Sequence, residues 1–239
     1  MRPDAVRRVL HIELAAVRQR RADGSPRVLD VGGGSGVWAV PLAEEGCLVT
    51  VVDPSPDALA TLDRRATEAG VLDRITAVQG DSDALARLVP AGQADLVLGH
   101  GMLEVVDDPK TTVAAMAEAA APGGLVSVLV ANRYAAILHQ AISGRLVDAR
   151  RLLDDPAGQL PGETLSRRFD IPGLSRLLAD SGLTVELVQG HGVVADLVPG
   201  TVLDGNPGAA DALAQLELAA ATTPPLRDVA ARLHALARR

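Results

Sequence analysis

Aromatic side chains are nearly absent from this sequence of 239 residues, since Trp38, Tyr134 and Phe169 are the only three. Proteins that bind single-stranded nucleic acid without sequence preference usually stack successive bases on aromatic rings. Three rings are too few for such a platform. The net charge of -7 also argues against the broad positive field that sequence-independent nucleic-acid binding uses. Both features disfavour a general nucleic-acid-binding protein.

Cysteine and long apolar runs are scarce as well. Cys47 is the single cysteine, so the chain can form neither an internal disulfide nor a cysteine metal cluster. Charges or glycines interrupt each apolar run well short of the roughly 20 residues that a membrane helix needs. No basic-then-apolar leader opens the chain. We therefore expect a cytoplasmic protein that has no membrane association and no metal site.

Apolar residues are nevertheless abundant enough for a full core, at 48% hydrophobic against 22% charged. Short β-branched runs alternate with segments of helical periodicity, and the predicted strands are 27–31, 48–52, 75–78, 96–98, 125–130 and 183–188. This alternation is typical of a doubly wound α/β sheet of mostly parallel strands, the Rossmann-like architecture. Residues 232–238 have helical propensity, and their structure is left open.

A single domain over residues 1–239 accommodates this pattern. Its predicted parts are an N-terminal helix within 1–26, a cofactor-binding core over 27–130, a substrate-side insertion after the fifth strand over 131–170, and a completion of the sheet over 171–239. Within the insertion, the pattern predicts a helix over 135–142 followed by a polar stretch. The oligomeric state is left open.

The first predicted strand runs directly into a glycine-rich turn. Gly32, Gly34 and Gly36 lack a Cβ atom, so the backbone there can turn sharply and approach a ligand closely. In open parallel sheets, ligands bind in the crevice beyond the carboxyl ends of the strands. Asp53 ends the second strand, where a carboxylate is suitably placed to accept hydrogen bonds from both hydroxyls of a ribose. The pattern therefore predicts a nucleotide-type cofactor.

Two further strand ends add to this prediction. Asp81 and Ser82 follow the third strand and could contact an adenine, while residues 99–102 follow the fourth and would form the floor of the site. Each feature alone also fits a tight turn or a helix cap, so the argument depends on their combination. A dinucleotide fingerprint, G-x-G-x-x-G, would need its third glycine at Val37. The loop therefore favours S-adenosylmethionine over NAD.

The same segments resemble the successive motifs of class I methyltransferases, and the matching residues are 29–36, 52–53, 80–81, 94–98 and 121–124. The resemblance implies a seven-stranded, mostly parallel sheet and an S-adenosylmethionine cofactor with S-adenosylhomocysteine as product. The cofactor-binding residues that it implies are Asp30, Gly32, Gly34, Gly36, Asp53, Pro54, Asp81, Ser82 and His100.

More closely, the chain is similar to the bacterial tRNA 5-carboxymethoxyuridine methyltransferases, which esterify a carboxylate on a wobble uridine. The similar segments are 102–109, 131–132, 139–144, 164–166 and 190–196. This resemblance implies a tRNA acceptor. It also implies an N-terminal arginine that grips the carboxylate of the cofactor, and either Arg7 or Arg8 matches that position, with Arg8 as our choice.

The chemistry of methyl transfer places few demands on side chains. The sulfonium of S-adenosylmethionine is already activated, so the main task is orientation, which can contribute up to about 7–11 kcal/mol. A carboxylate acceptor needs no deprotonation, whereas a hydroxyl or an amine often needs a base, for which His100 is the candidate. A loop histidine that only contacts the cofactor is the alternative. Arg133 and Tyr134 could pair with an anionic acceptor, or they could be a surface arginine and a packed tyrosine.

Three functions stay open at this point. The first is a methyltransferase that modifies oxygen or nitrogen of a small metabolite or of a tRNA. The second is a catalytically silent module that binds S-adenosylmethionine, and the third is an NAD-dependent oxidoreductase.

Overall fold

Seven strands form one mixed sheet in the computed structural model, which describes residues 4–21, 24–206 and 208–239. The strands are β1 (Arg27–Val31), β2 (Leu48–Asp53), β3 (Ile75–Gln79), β4 (Ala94–His100), β5 (Ala120–Ala131), β6 (Thr184–His191) and β7 (Arg232–Arg238). Their order in the sheet is β3-β2-β1-β4-β5-β7-β6. Neighbours among β1 to β5 are parallel, whereas β7 is antiparallel to both β5 and β6. The predicted fold class is confirmed.

Ten α-helices of the described residues connect and flank these strands. They are α1 (Ala5–Arg20), α2 (Ala39–Glu44), α3 (Pro56–Glu68), α4 (Leu85–Leu88), α5 (Pro109–Ala119), α6 (Arg133–Ile142), α7 (Leu146–Asp154), α8 (Ile171–Asp180), α9 (Gly200–Gly205) and α10 (Ala209–Ala220). None of these helices is long and apolar enough to cross a membrane. The predicted N-terminal helix is α1, and residues 1–3 and 22–23 lie outside the described part of the chain.

Two apolar layers enclose the sheet. One face packs against α1, α2 and α3, and the other against α4, α5 and α8. Helix α1 shows why the sequence folds this way: Val6, Leu10, Leu14 and Val17 recur at helical spacing and are all buried. The Asp4 carboxylate caps the helix by accepting the Val6 N–H at 2.9 Å. The N-terminal end of α1 is thereby held beside the sheet edge where the ligand crevice was predicted.

The segment whose structure the sequence left open is strand β7. Leu233, Ala235 and Ala237 are buried on one face of the sheet, while His234 and Leu236 are buried on the other. Hydrogen-bonded ladders on both sides hold the strand between β5 and β6. Because helix propensity is worth only tenths of a kcal/mol per residue, this pairing and burial override it.

The segment from 131 to 170 differs from its prediction in one respect. It contains a second helix, α7, in addition to the predicted one, which is α6. In α7 only Ala149 and Leu152 are buried, so this helix packs on the protein through a narrow stripe.

Candidate active site

The glycine turn between β1 and α2 has a backbone that only glycine adopts readily. Gly32, Gly34 and Gly36 have φ values of +68°, +54° and +77°. Space is also restricted, since a Cβ atom at Gly36 would lie 2.3 Å from Leu62 Cδ1. A Cβ atom at Gly33 would lie 2.6 Å from Asp30 Cγ. The turn therefore needs glycine both for its conformation and for close packing.

Asp53, at the end of β2, fastens this turn. Its Oδ2 atom accepts the N–H of Gly34 at 2.9 Å, and its Oδ1 atom accepts the N–H of Ser55 at 2.9 Å. The carboxylate is 8% exposed. Asp53 thus connects the turn after β1 to the end of β2, and it also lines the adjoining cavity.

That cavity, here called the loop cavity, has a volume of about 360 Å³. Its walls include five of the residues that the sequence predicted as cofactor ligands, namely Gly32, Asp53, Pro54, Asp81 and Ser82. Gly101 and Met102, which follow β4, also line it, together with residues 105–107 of the same connection. The fold thus brings predicted residues from the ends of four strands to one cavity.

Asp30 lies beneath the glycine turn and does not line the loop cavity. It is 1% exposed, and its Oδ2 atom has no hydrogen-bond partner among the described residues. Burial, followed by the negative charge of Asp53, raises the pKa of Asp30 to about 7. A buried carboxylate without a partner is costly, so a cationic ligand group nearby would be stabilising. The ammonium at the amino acid end of S-adenosylmethionine is a cationic group of this kind.

His100 faces away from the loop cavity. Its Nε2 atom lies 2.8 Å from Ser127 Oγ, which in turn lies 2.8 Å from His234 Nε2. A further contact of 3.0 Å joins His234 Nδ1 to Gln189 Nε2. The His100 ring packs edge-on against Trp38, with centroids 4.6 Å apart. The result is a buried hydrogen-bond chain across β4, β5, β7 and β6.

Burial, and then the charge of His234, lower the pKa of His100 well below its usual value. Its Nδ1 atom is buried without a hydrogen-bond partner among the described residues. The structure therefore does not bring His100 to the cavity formed by the other predicted cofactor ligands. Its predicted role as a general base stays a prediction.

The structure distinguishes between the two N-terminal arginines. The guanidinium of Arg7 lies over the Trp38 ring at 4.6 Å from its centroid. Its Nη2 atom donates to the Val37 carbonyl oxygen at 3.4 Å, at the end of the glycine turn. Arg8, the predicted ligand, is exposed, and neither arginine lines the loop cavity. The geometry therefore favours Arg7 over Arg8 for a ligand carboxylate.

Arg133 is occupied within the protein. Its Nη2 atom forms an ion pair with Asp170 Oδ2 at 3.2 Å, and its Nη1 atom donates to the Asp155 carbonyl oxygen at 3.4 Å. The guanidinium also lies over the Tyr134 ring, 5.0 Å from its centroid. Neither Arg133 nor Tyr134 lines the loop cavity. The Arg133 side chain is 12% exposed and Tyr134 is 37% exposed, so Arg133 is not the surface arginine of the alternative interpretation and Tyr134 is not a packed tyrosine. Arg133 instead fastens to Asp170, the N-cap residue of α8, and the role of both residues toward an anionic acceptor stays a prediction.

A second cavity of about 550 Å³, here called the edge cavity, lies where β6, β7, α1 and α10 meet. Its polar walls are Asp4, Arg7, His191, Glu217 and Arg232, and its apolar walls include Leu203, Ala210, Leu213 and Ala214. The two cavities approach each other at one point, because a Cβ atom at Gly101 would lie 3.8 Å from Arg232 Nη1.

Sequence reasoning did not identify Arg232. The residue lies in an alanine-rich segment with helical propensity, and only the antiparallel insertion of β7 brings its first residue to the ligand edge of the sheet. Glu104 lines neither cavity. Its Oε1 atom accepts the Ala131 N–H at 2.7 Å, and burial raises the pKa of its carboxyl.

Known proteins provide an independent comparison. A family model described as a methyltransferase domain matches residues 6–188. A tRNA 5-carboxymethoxyuridine methyltransferase of Escherichia coli (strain K12) is 30% identical over 118 residues, which make up 49% of this chain and 45% of that protein. The match therefore spans less than half of that relative's length.

Two other proteins are similar over more of the chain. A ubiquinone biosynthesis O-methyltransferase of Methylococcus capsulatus is 30% identical over 194 residues, 80% of this chain and 78% of that protein. The crystal structure of an S-adenosylmethionine-dependent methyltransferase from Mesorhizobium loti has a TM-score of 0.59 and 20% identity, and the alignment covers 94% of this chain and 96% of that one.

Proposed function

Since the chain belongs to the methyltransferase-domain family and depends on S-adenosylmethionine, we propose that the loop cavity binds the nucleoside end of this cofactor and that the edge cavity binds a small acceptor molecule. The observation that carries the proposal is the approach of the two cavities at Gly101 and Arg232. A donor and an acceptor that occupy adjoining cavities can react without leaving the protein.

The residues around the loop cavity suit the parts of the cofactor. Asp53 has a partly exposed carboxylate for the ribose hydroxyls, and Asp81 and Ser82 lie on the wall where the adenine would bind. Outside the loop cavity, Asp30 beneath the glycine turn and Arg7 at the end of that turn carry opposite charges, which suit the ammonium and the carboxylate of the amino acid end. The glycine turn leaves room for the ligand against the backbone.

When bound, the cofactor supplies a methyl group that its sulfonium already activates. The contribution of this chain is then orientation, which can be worth up to about 7–11 kcal/mol. The connection between β4 and α5, which includes Gly101 and Met102, lines the cofactor side. Helix α10 lines the acceptor side with Leu213 and Ala214.

A small acceptor fits the edge cavity better than a tRNA does. The apolar walls from α9 and α10 suit an apolar molecule, and the net charge of -7 opposes a polyanion. The relative that overlaps this chain over 194 residues is named for O-methylation in ubiquinone biosynthesis. We therefore assign a small oxygen acceptor.

Esterification of a carboxylate on tRNA is the second candidate function. The observation in its favour is the 30% identity over 118 residues to a protein named as a tRNA 5-carboxymethoxyuridine methyltransferase. A catalytically silent module that binds S-adenosylmethionine is the remaining alternative.

A methyl-transfer experiment distinguishes these functions. The purified protein is incubated with S-adenosylmethionine labelled in its methyl group, together with bulk bacterial tRNA or with a low-molecular-weight cell extract. We expect label in an extractable small molecule, and none with an Asp53→Ala variant. Label in tRNA would favour the second function. Binding of S-adenosylmethionine without transfer to either pool would favour the silent module.

A further inference from the structure

We propose that the edge cavity selects an acidic acceptor, a carboxylic acid or an acidic phenol with an apolar body, and that the guanidinium of Arg232 pairs with its ionised oxygen. This inference depends on the proposed function for its reaction, and it adds the chemical class of the acceptor and the residue that recognises it. Three features of the edge cavity support it.

The first feature is that Arg232 is unpaired. Among the residues that the structure describes, none forms a hydrogen bond or an ion pair with its guanidinium. The backbone of Arg232 is nevertheless held in register with Ala131 on one side and with His191 on the other. A guanidinium presents five N–H donors in a planar fork that matches a carboxylate. The side chain of Arg232 is exposed and lines the edge cavity, so it is a cation with unused donors on a fixed backbone position.

The second feature is that the carboxylates of the cavity are already satisfied. Asp4 accepts the Val6 N–H at 2.9 Å and lies 3.4 Å from His191 Nδ1. Although burial raises the pKa of Asp4, its hydrogen bond with His191 and the charge of that ring hold the pKa below the usual value. The carboxylate of Asp4 therefore has its hydrogen-bond partners within the protein.

Glu217 on α10 is satisfied by the backbone. Its Oε2 atom accepts the Val193 N–H at 2.9 Å, and its Oε1 atom accepts the N–H groups of Val194 and Ala195 at 2.6 Å each. Arg7, the other arginine of the cavity, lies over Trp38 and 3.9 Å from Asp4 Oδ2, and the proposed function assigns it to the carboxylate of the cofactor. Asp4 and Glu217 thus have hydrogen-bond donors within the protein, whereas the guanidinium of Arg232 has no acceptor among the described residues. The unused hydrogen-bonding groups of this cavity are therefore donors, which favour an anionic oxygen over an amine.

The third feature is the position of the Arg232 guanidinium relative to the loop cavity. Arg232 Nη1 is 3.8 Å from the position of a Cβ atom at Gly101, which lines the loop cavity. An ionised oxygen bound there would be adjacent to the cofactor cavity, while the apolar body would face Leu203 and Leu213. In the transfer, the oxygen forms a bond to the methyl carbon, and the carbon–sulfur bond breaks with its electrons left on sulfur. No base is needed, because the acceptor has already lost its proton.

A binding experiment tests the inference without knowledge of the natural acceptor. The protein is saturated with S-adenosylhomocysteine and titrated with 8-anilino-1-naphthalenesulfonate, an apolar anion, and with N-phenyl-1-naphthylamine, its uncharged analogue. We expect Arg232→Gln to weaken binding of the anion at least tenfold and to leave binding of the uncharged probe within twofold. Arg232→Lys should retain part of the affinity for the anion.

The matched control is Arg176→Gln, since Arg176 is an exposed arginine on α8 outside both cavities. It should leave both affinities unchanged. Three outcomes would each overturn the inference. They are equal affinity of wild type and Arg232→Gln for the anion, equal weakening of the binding of both probes in Arg232→Gln, and no binding of the anion to the wild type. A tenfold loss of S-adenosylhomocysteine affinity in Arg232→Gln would instead assign the arginine to the cofactor and overturn it as well. The methyl-transfer experiment that tests the proposed function is a separate measurement. A failure of the proposed function can therefore be distinguished from a failure of this inference about the acceptor.

Discussion

Asp30 lies one residue before the end of β1 and Asp53 ends the neighbouring parallel strand β2, and the charge of Asp53 adds to burial in raising the pKa of Asp30 to about 7. The two carboxylates therefore cannot both be ionised at low cost in the protein without its cofactor. A cation bound at the glycine turn would relieve this repulsion. The electrostatics of the site thus connect cofactor binding to pH.

The affinity for S-adenosylmethionine should fall as the pH is lowered through about 7. A cation binds best when Asp30 is ionised, and below its pKa the proton must be displaced before the cation binds. The affinity loss should approach tenfold per pH unit. Calorimetry between pH 5.5 and 8.5, at roughly one-unit steps, measures the slope. In Asp30→Asn the affinity should be low and independent of pH, whereas an unchanged slope in this variant would assign the titration to another group.

Asp53→Ala should weaken S-adenosylmethionine binding by about 1.5–3 kcal/mol, because charge-assisted hydrogen bonds to the ribose are lost. The loss of its bonds to the N–H groups of Gly34 and Ser55 contributes as well. Fluorescence or calorimetric titration gives the dissociation constant. Asp57→Ala, at an exposed carboxylate on the same connection, serves as the control. Equal affinities of wild type and Asp53→Ala would remove Asp53 from the site.

Gly36→Ala should destabilise the fold by more than Gly46→Ala does. Both positions have positive φ, +77° and +90°, so both variants incur backbone strain of about 1–3 kcal/mol. At Gly36 the new Cβ atom would also lie 2.3 Å from Leu62 Cδ1, whereas at Gly46 nothing lies within 4 Å. Overpacking of this kind costs a further ~1–3 kcal/mol. Urea denaturation of the two variants measures the difference, and equal losses would contradict the packing of this turn.

The free energy of unfolding should fall as the pH is lowered below 6.5, with a contribution from His234. Burial lowers the pKa of this imidazole from 6.5 to about 3, although the charge of Asp4 acts in the opposite direction. Between these values the unfolded chain binds the extra proton, so acid favours unfolding by up to about 1.4 kcal/mol per pH unit.

Thermal unfolding of His234→Gln between pH 7.5 and 5 tests this dependence. The variant should lose less stability on acidification than the wild type, because glutamine does not titrate. His139→Gln, at an exposed histidine, should behave as the wild type does. An acid dependence in His234→Gln as steep as that of the wild type would show that His234 does not contribute.

The alternation of strands and helices and the glycine turn were predictable, because both depend on local sequence. Alternation of β-branched runs with helical periodicity predicts parallel strands, and the carboxyl ends of such strands converge. For this reason Gly32, Asp53 and Asp81 could be assigned to one site from their positions alone, and the structure places all three around the loop cavity. Family membership then excludes the NAD-dependent alternative.

Side-chain direction and long-range pairing were not predictable. Arg7 and Arg8 are adjacent in sequence, but their positions on α1 point the first toward the glycine turn and leave the second exposed. Arg133 looked available for a ligand, yet it pairs with Asp170, 37 residues away. Nothing in the local sequence encodes that partner.

The sequence by itself therefore determined the fold class and the glycine turn, and it predicted the cofactor, because these depend on periodicity and on glycine geometry. Only the tertiary structure decided the walls of the edge cavity. Pairing with β5 and β6 converted a segment of helical propensity into β7, and this brought Arg232 beside Gly101 and buried His234 under Ser127. The physical reason is that hydrogen bonds and burial between distant segments outweigh local propensities of a few tenths of a kcal/mol per residue.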